Sequence, residues 1–181
     1  GARVILVDEQ QEMGGSLLCD RHAVIDGKPG AQWVADALAE LRSMPEVTLL
    51  PRTVAFGYYD HNMVSLMERV TDHLNPTSPE ALSQPRQRLW RVRANDVILA
   101  TGAIERPMVY LGNDRPNCML ASAAQTYVNR YGSAPGKRAV ILTNNDTAYQ
   151  VALDVVDAGV SVAAIVDVRE NPEGELVSNA R

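Results

Sequence analysis

The chain has 181 residues, 46% of them hydrophobic and 22% charged, enough for one cored domain or for one domain plus part of another. That composition excludes a disordered chain. A net charge of −5 with scattered Lys and Arg excludes a basic nucleic-acid surface, and no apolar run nears the ~20 residues that span a bilayer.

In chain order, Val4–Val7 reads as a short buried parallel strand ending at Asp8-Glu9, and Gln10–Ser16 as a loop carrying Gly14-Gly15. Trp33, Val34, Ala37, Leu38 and Leu41 recur at helical spacing, predicting a helix over 31–44 that Pro45 ends. Val47–Leu50 reads as another short strand. Thr53–Tyr59, Met63–Val70 and Arg88–Arg93 are β-rich and partly alternating, with Asp60-His61-Asn62 as a tight turn. They predict an antiparallel meander laid over the main sheet. Asn75–Pro85, with three prolines and two serines, reads as a loop. The apolar run Val97–Ala100 predicts a fully buried closing strand, halted at Thr101-Gly102 and barred from continuing by Pro107. Ser122–Tyr131 reads as a helix stopped at Gly132 and Pro135. Arg138–Leu142, Asp146–Asp157 and Val160–Val166 then form one strand–helix–strand unit ending at Asp167.

The expected fold class is therefore α/β. A Rossmann-like dinucleotide-binding domain with an antiparallel β-meander, residues 1–132, precedes the start of a second βαβ domain, residues 137–181, with a boundary near Gly132 to Gly136. The chain enters a strand directly after Gly1-Ala2-Arg3, with neither an initiator Met nor a signal-peptide pattern, and closes on the polar Val177 to Arg181. It is expected to be incomplete at both ends. Its two cysteines, Cys19 and Cys118, are too few for a disulfide scaffold, so a reducing cytoplasm is expected.

Ligands of open α/β sheets lie beyond the carboxyl ends of strands. Asp8 stands at such an end, where a carboxylate accepts both hydroxyls of an adenosine ribose and repels a 2′-phosphate, favouring NAD over NADP. Glu9 follows, and Gln10 sits where its side chain can reach the adenosine. Gly14 and Gly15 carry no Cβ and let the main chain pass close to a pyrophosphate, with Ser16 adding a hydroxyl. Thr101 and Gly102 end the closing strand with residues small enough for a ligand to approach. The plain alternatives are a solvated acidic turn at Asp8 and an ordinary core strand at 97–100. The Gly-rich phosphate turn that should precede Val4–Val7 is not in the sequence, which fits truncation.

In the second unit, Thr143-Asn-Asn-Asp146 stands where a Gly-rich loop belongs. Asp146 reads as an N-cap that would oppose a phosphate, and Asp167 occupies the ribose-acid position. This unit is expected to keep the fold without the site. Cys19 and Cys118 are remote from each other and read as packing residues, against a disulfide reductase. His22, His61 and His73 show no metal-ligand spacing and read as surface or loop residues. Glu105-Arg106 reads as an ion pair bracing its loop, and no catalytic residue is recognisable.

The order strand-Asp, Gly-Gly, helix, meander, Ala-Thr-Gly, βαβ resembles the pyridine-nucleotide-disulfide oxidoreductase superfamily. Asp8-Glu-Gln, Gly14-Gly-Ser-Leu-Leu18, Thr53-Val-Ala-Phe-Gly-Tyr-Tyr-Asp60 and Glu68-Arg-Val-Thr-Asp-His-Leu74 resemble the alpha subunits of heterotetrameric sarcosine oxidases. So do Ala100 to Pro107, Asn113-Asp-Arg-Pro116 and Leu142 to Asp146. The chain departs at Asn117-Cys118, where Gly-Val is expected. The resemblance implies NAD held noncovalently, with Asp8, Glu9 and Gln10 at the ribose, Ser16 as a polar contact and Val54 against the adenine. It further implies oxidative demethylation of sarcosine on FAD in a beta subunit, with a covalent FMN passing electrons to O2. Tetrahydrofolate would capture the one-carbon unit in a C-terminal part of the alpha subunit, with gamma and delta subunits completing the complex. Alpha-type subunits of opine, hydroxyproline or amine dehydrogenases share the Ala-Thr-Gly-Ala-x-Glu-Arg-Pro stretch. A downstream folate-binding domain, against a cysteine-rich iron–sulfur region, would separate the two readings. A non-catalytic, nucleotide-holding subunit is the third.

Overall fold

The computed structural model describes residues 2–180, which fall into two units. The first takes the residues through Leu17 together with Ala23–Thr101, and the second takes Leu18–His22 with the residues from Gly102 onward.

In the first unit β1 (Val4–Val7) is followed by a 3-10 turn at Gly15–Leu18, β2 (Val24–Ile25), β3 (Lys28–Pro29) and α1 (Gly30–Ser43). Trp33, Val34, Ala37, Leu38 and Leu41 are covered positions of α1, as their spacing requires, and the helix ends at Ser43 with Met44, the residue before Pro45, as its extended cap. β4 (Val47–Leu50) then pairs parallel with β1, from Val4 opposite Val47 to Val7 opposite Leu50. The strand is parallel as expected but not buried: Val4, Ile5 and Leu6 are 46, 39 and 40% exposed. A two-strand sheet covers one edge of each strand and leaves the other to solvent.

β5 (Thr53–Tyr59), β6 (Met63–Arg69) and β7 (Gln87–Arg93) form the meander as a three-stranded antiparallel sheet of its own. His61 and Asn62 turn it with φ of 58° and 51°, a left-handed conformation that Asn and His tolerate better than β-branched residues. Thr53, Ser65, Leu66 and Thr71 are buried.

In this unit a hairpin and a short helix escaped the sequence reading, as did a short helix over Glu175–Asn179 in the second, where only a polar stretch was expected. β2 and β3 form a small hairpin whose Asp26-Gly27 turn has φ of 51° and 73° at its two central residues. Asp-Gly is the residue pair such two-residue turns select. Inside the expected loop at 75–85, α2 (Pro79–Ser83) starts on Ser78, whose Oγ accepts the Ala81 N–H at 3.2 Å.

The expected strand at Val97–Ala100 does not form a ladder, and Ile98 and Leu99 are 89 and 74% exposed. An apolar run supplies strand propensity, but a strand exists only where a neighbour takes its N–H and C=O groups. Among the described residues none does.

In the second unit α3 (Ala121–Tyr131) ends on Gly132 in the left-handed conformation. β8 (Arg138–Thr143) and β9 (Ser161–Asp167) are parallel, joined by α4 (Thr147–Asp157), and α5 (Glu175–Asn179) follows. Val128 of α3, Val151 and Val155 of α4, and Val160 form the core, with Ala121, Ala124, Ala139 and Val162 against it. Each fully buried valine contributes roughly 1.5–3 kcal/mol. No described helix is long and apolar enough to cross a membrane.

Candidate functional site

Asp8 follows the last residue of β1, and three backbone hydrogen bonds fix the main chain there. Its N–H donates to Leu50 O at 3.1 Å, its carbonyl accepts Thr53 N–H at 2.9 Å, and Gln10 O accepts Arg52 N–H at 2.8 Å. The Asp8 carboxylate turns the loop on itself: Oδ1 accepts the Gln10 N–H at 2.8 Å. Oδ2 accepts no hydrogen bond among the described residues, and Oδ1 keeps a second lone pair. This carboxylate can therefore still take two hydroxyls.

Two arginines brace the same loop through neutral acceptors. Arg69 Nη2 donates to Glu9 O at 3.0 Å, and Arg52 Nη2 donates to Gln11 Oε1 at 3.1 Å. Among the described residues the Glu9 carboxylate accepts one hydrogen bond, from Gln10 Nε2 at 3.5 Å. Val54 is the second residue of β5 and follows Thr53, which is bonded to Asp8 O, so β1 and β5 bring Asp8, Glu9, Gln10 and Val54 together. Gly15 and Ser16 lie in the 3-10 turn; Gly15 has φ of 57°, and a Cβ there would meet nothing within 4 Å. Thr101 and Gly102 are exposed. A cavity of about 470 Å³, lined by Met13, Leu38, Arg42 and Leu49 among others, includes none of the eight candidates. Among the described residues no three His, Cys, Asp or Glu side chains converge as a metal would need.

The corresponding edge of the second unit is occupied by its own side chains. Arg169 donates through Nε and Nη2 to Asp167, with Nη2 at 2.7 Å from Oδ2, and the same Nη2 reaches Asp146 Oδ1 at 2.7 Å. Tyr149 Oη adds a bond to Asp167 Oδ2 at 3.0 Å. The guanidinium holds the Asp167 carboxyl far below the usual carboxylate range against the upward push of burial, and Asp167 and Asp146 raise Arg169 in turn. Asp146 is not the side-chain cap expected from sequence. Asn145 Oδ1 accepts the Thr147 N–H at 3.0 Å, because its position lets it reach two residues ahead, while the Asp146 carboxylate turns to Arg169.

Glu105 does not pair with Arg106. Its two oxygens accept the N–H groups of Ala121 at 3.2 Å and Ser122 at 2.8 Å, the unpaired donors that open α3. A carboxylate gains more at those donors and the positive helix end than beside a solvated neighbouring arginine.

A buried carboxylate went unnoticed in the sequence. Asp154 on α4 is 3% exposed. Its Oδ2 accepts Gln125 Nε2 at 2.7 Å and Asn129 Nδ2 at 2.8 Å; its Oδ1 accepts Gln150 Nε2 at 3.1 Å and His22 Nε2 at 3.0 Å. A carboxylate only accepts, so His22 Nε2 carries a proton. Burial pushes the Asp154 carboxyl up, but the bonds from Gln125, Asn129, Gln150 and His22 outweigh it and hold it below its ordinary value. His22 is thus an anchor of the 18–22 segment. Cys19 beside it is half-buried, with Thr126 Oγ1 at 3.4 Å from its sulfur, while Cys118 is exposed.

No family model matches the chain. Sarcosine oxidase subunit alpha of Rhizobium meliloti (strain 1021) is 53% identical over 169 residues, covering 93% of this chain and 17% of that relative. Sarcosine oxidase subunit alpha of Corynebacterium sp. (strain P-1) is 46% identical over 169 residues, with the same shares of each. The chain thus spans about a sixth of the length of the curated relatives it matches. Among solved structures, L-proline dehydrogenase from P. horikoshii superposes with a TM-score of 0.72 at 23% identity, over 95% of this chain and 32% of that one. The likeness establishes a shared mixed α/β fold with parallel and antiparallel sheets.

Proposed function

We propose that the chain is, over the stretch it spans, part of a sarcosine oxidase alpha subunit, and that it is the part of this oxidoreductase subunit that holds NAD noncovalently. The observation that carries this reading is the Asp8 carboxylate: it stands at the carboxyl end of β1, on a loop pinned by β4 and β5, with acceptor capacity to spare. In this reading Asp8 takes the ribose hydroxyls, with Glu9 and Gln10 beside it. Gly15 and Ser16 line the pyrophosphate, Val54 meets the adenine, and Thr101 and Gly102 close the edge. Residues 1–132 then belong to a Rossmann-like dinucleotide domain, and 137–181 open a second one whose ribose acid, Asp167, is taken by Arg169.

The whole enzyme would demethylate sarcosine oxidatively, with O2 as electron acceptor and tetrahydrofolate as one-carbon acceptor. Beta, gamma and delta subunits would be its partners and the cytoplasm its setting. FAD and covalent FMN would supply the redox chemistry from the beta subunit, and this chain contributes binding and no catalytic group. The test is Asp8→Ala in the intact complex, with bound NAD and turnover both measured. The proposal expects NAD to be lost; NAD retained at the wild-type level overturns the assignment. Turnover that survives the loss excludes a redox role for NAD.

A further inference from the structure

Three arginines meet at one end of the meander. Arg52 immediately precedes β5, Arg69 is the last residue of β6, and Arg86 immediately precedes β7. The ladder places them side by side: Arg69 N–H donates to Arg52 O at 3.0 Å, and the Val70 and Thr71 N–H groups both donate to Arg86 O at 3.1 Å. With Asp72 and His73 they line a cavity of about 280 Å³.

The charges in this cavity do not balance. Asp72 is the one carboxylate among its lining residues, and it already accepts Arg86 Nε and Gln87 Nε2. Those bonds, Gln87's first, hold the Asp72 carboxyl below its ordinary value, with Arg69 adding to the effect. Arg52 and Arg69 give their hydrogen bonds to an amide oxygen and a carbonyl, which neutralise nothing. Each guanidinium has five N–H donors, so most of theirs remain available. Arg52 also holds a φ of 54°, a conformation that a non-glycine residue keeps only where its surroundings impose it. Arg52 and Arg69 bond to the loop that follows β1, and Arg52 lies two residues beyond β4, so this end of the cavity lies by the carboxyl ends of the parallel strands, where such sheets receive ligands.

We propose that Arg52, Arg69 and Arg86 form an oxyanion site that takes a phosphate group. Guanidinium forks match phosphate oxygens in shape and charge. The site does not depend on Asp8 holding a ribose. The phosphate is either a free anion or part of a nucleotide bound alongside.

The test titrates inorganic phosphate into the intact complex, following 31P line broadening at low ionic strength, for wild type, Arg69→Gln and Asp72→Asn. Saturable binding is expected in the wild type, weakened roughly tenfold or more in Arg69→Gln. Asp72→Asn removes the one competing carboxylate and strengthens binding, a gain that damage to the fold would not produce. Displacement of phosphate by excess NAD assigns the oxyanion to the nucleotide, and persistence with NAD bound assigns it to a free anion; either supports the site. No saturable binding in the wild type, or an Asp72→Asn complex that binds phosphate no better, overturns the proposal and leaves the arginines as braces of the Asp8 loop or a seat for an acidic protein segment.

Discussion

Replacing Asp154 with Asn keeps the shape of the side chain and removes its charge. An amide offers one accepting oxygen where the carboxylate offered two, so its NH2 faces two donors whichever way it turns. Gln125 and Asn129 converge on Oδ2, Gln150 and His22 on Oδ1. The His22 side chain is 54% exposed and can give its proton to water, so the amide settles with its NH2 on that side. Two hydrogen bonds to a charged acceptor are then lost at roughly 1.5–3 kcal/mol each, and the exposure of His22 sets the total near the low end, about 3 kcal/mol. That corresponds to roughly a hundredfold less protection of α3 and α4 in native-state hydrogen exchange of the intact protein. The meander should not change. The effect also has a pH signature. The folded carboxyl lies below its ordinary 3.8, so its contribution is complete above about pH 4 and is lost as pH falls through the folded value. The variant should lack that acid limb. Equal protection of α3 and α4 in wild type and Asp154→Asn at neutral pH would refute the reasoning.

Other outcomes follow from the same geometry. Glu105→Ala leaves the Ala121 and Ser122 N–H groups without their acceptor and should weaken the first turn of α3 by about 0.5–2 kcal/mol, read as faster exchange of those amides. Gly15→Ala places a Cβ in open space, so its cost is the left-handed backbone alone, roughly 1–2 kcal/mol by thermal melting. Asp167 is held below its ordinary 3.8, and the stability this confers is present above that value and lost as pH falls through the folded one. Arg169→Ala should flatten that acid dependence in urea midpoints measured across pH.

What was legible in the sequence was local. The spacing of Trp33, Val34, Ala37, Leu38 and Leu41 announces α1 because one face of a helix must be covered, and Asp60-His61-Asn62 announces its turn because few other residues accept those dihedrals. Asp8 stood out because a strand stops on it. The braces of its loop did not: Arg52 and Arg69 lie 41 and 60 residues from the groups they hold, and His22 lies 132 residues from Asp154. Asp154 did leave a trace, as a carboxylate set among the apolar positions Val151, Ala152 and Val155, where an uncompensated charge is excluded. Val97–Ala100 shows the opposite error, since strand propensity carries no information about whether a neighbour exists to pair with it. Asp146 and Glu105 were assigned to nearby partners when Arg169 and the start of α3 offered stronger ones.

The most direct measurement is an experimental structure of the intact complex with its bound nucleotide. The account predicts NAD with both hydroxyls of its adenosine ribose within hydrogen-bond reach of the Asp8 carboxylate, and Asp167 still bound to Arg169. FAD in that place, or an adenosine ribose held by Asp167 in place of Asp8, would contradict it.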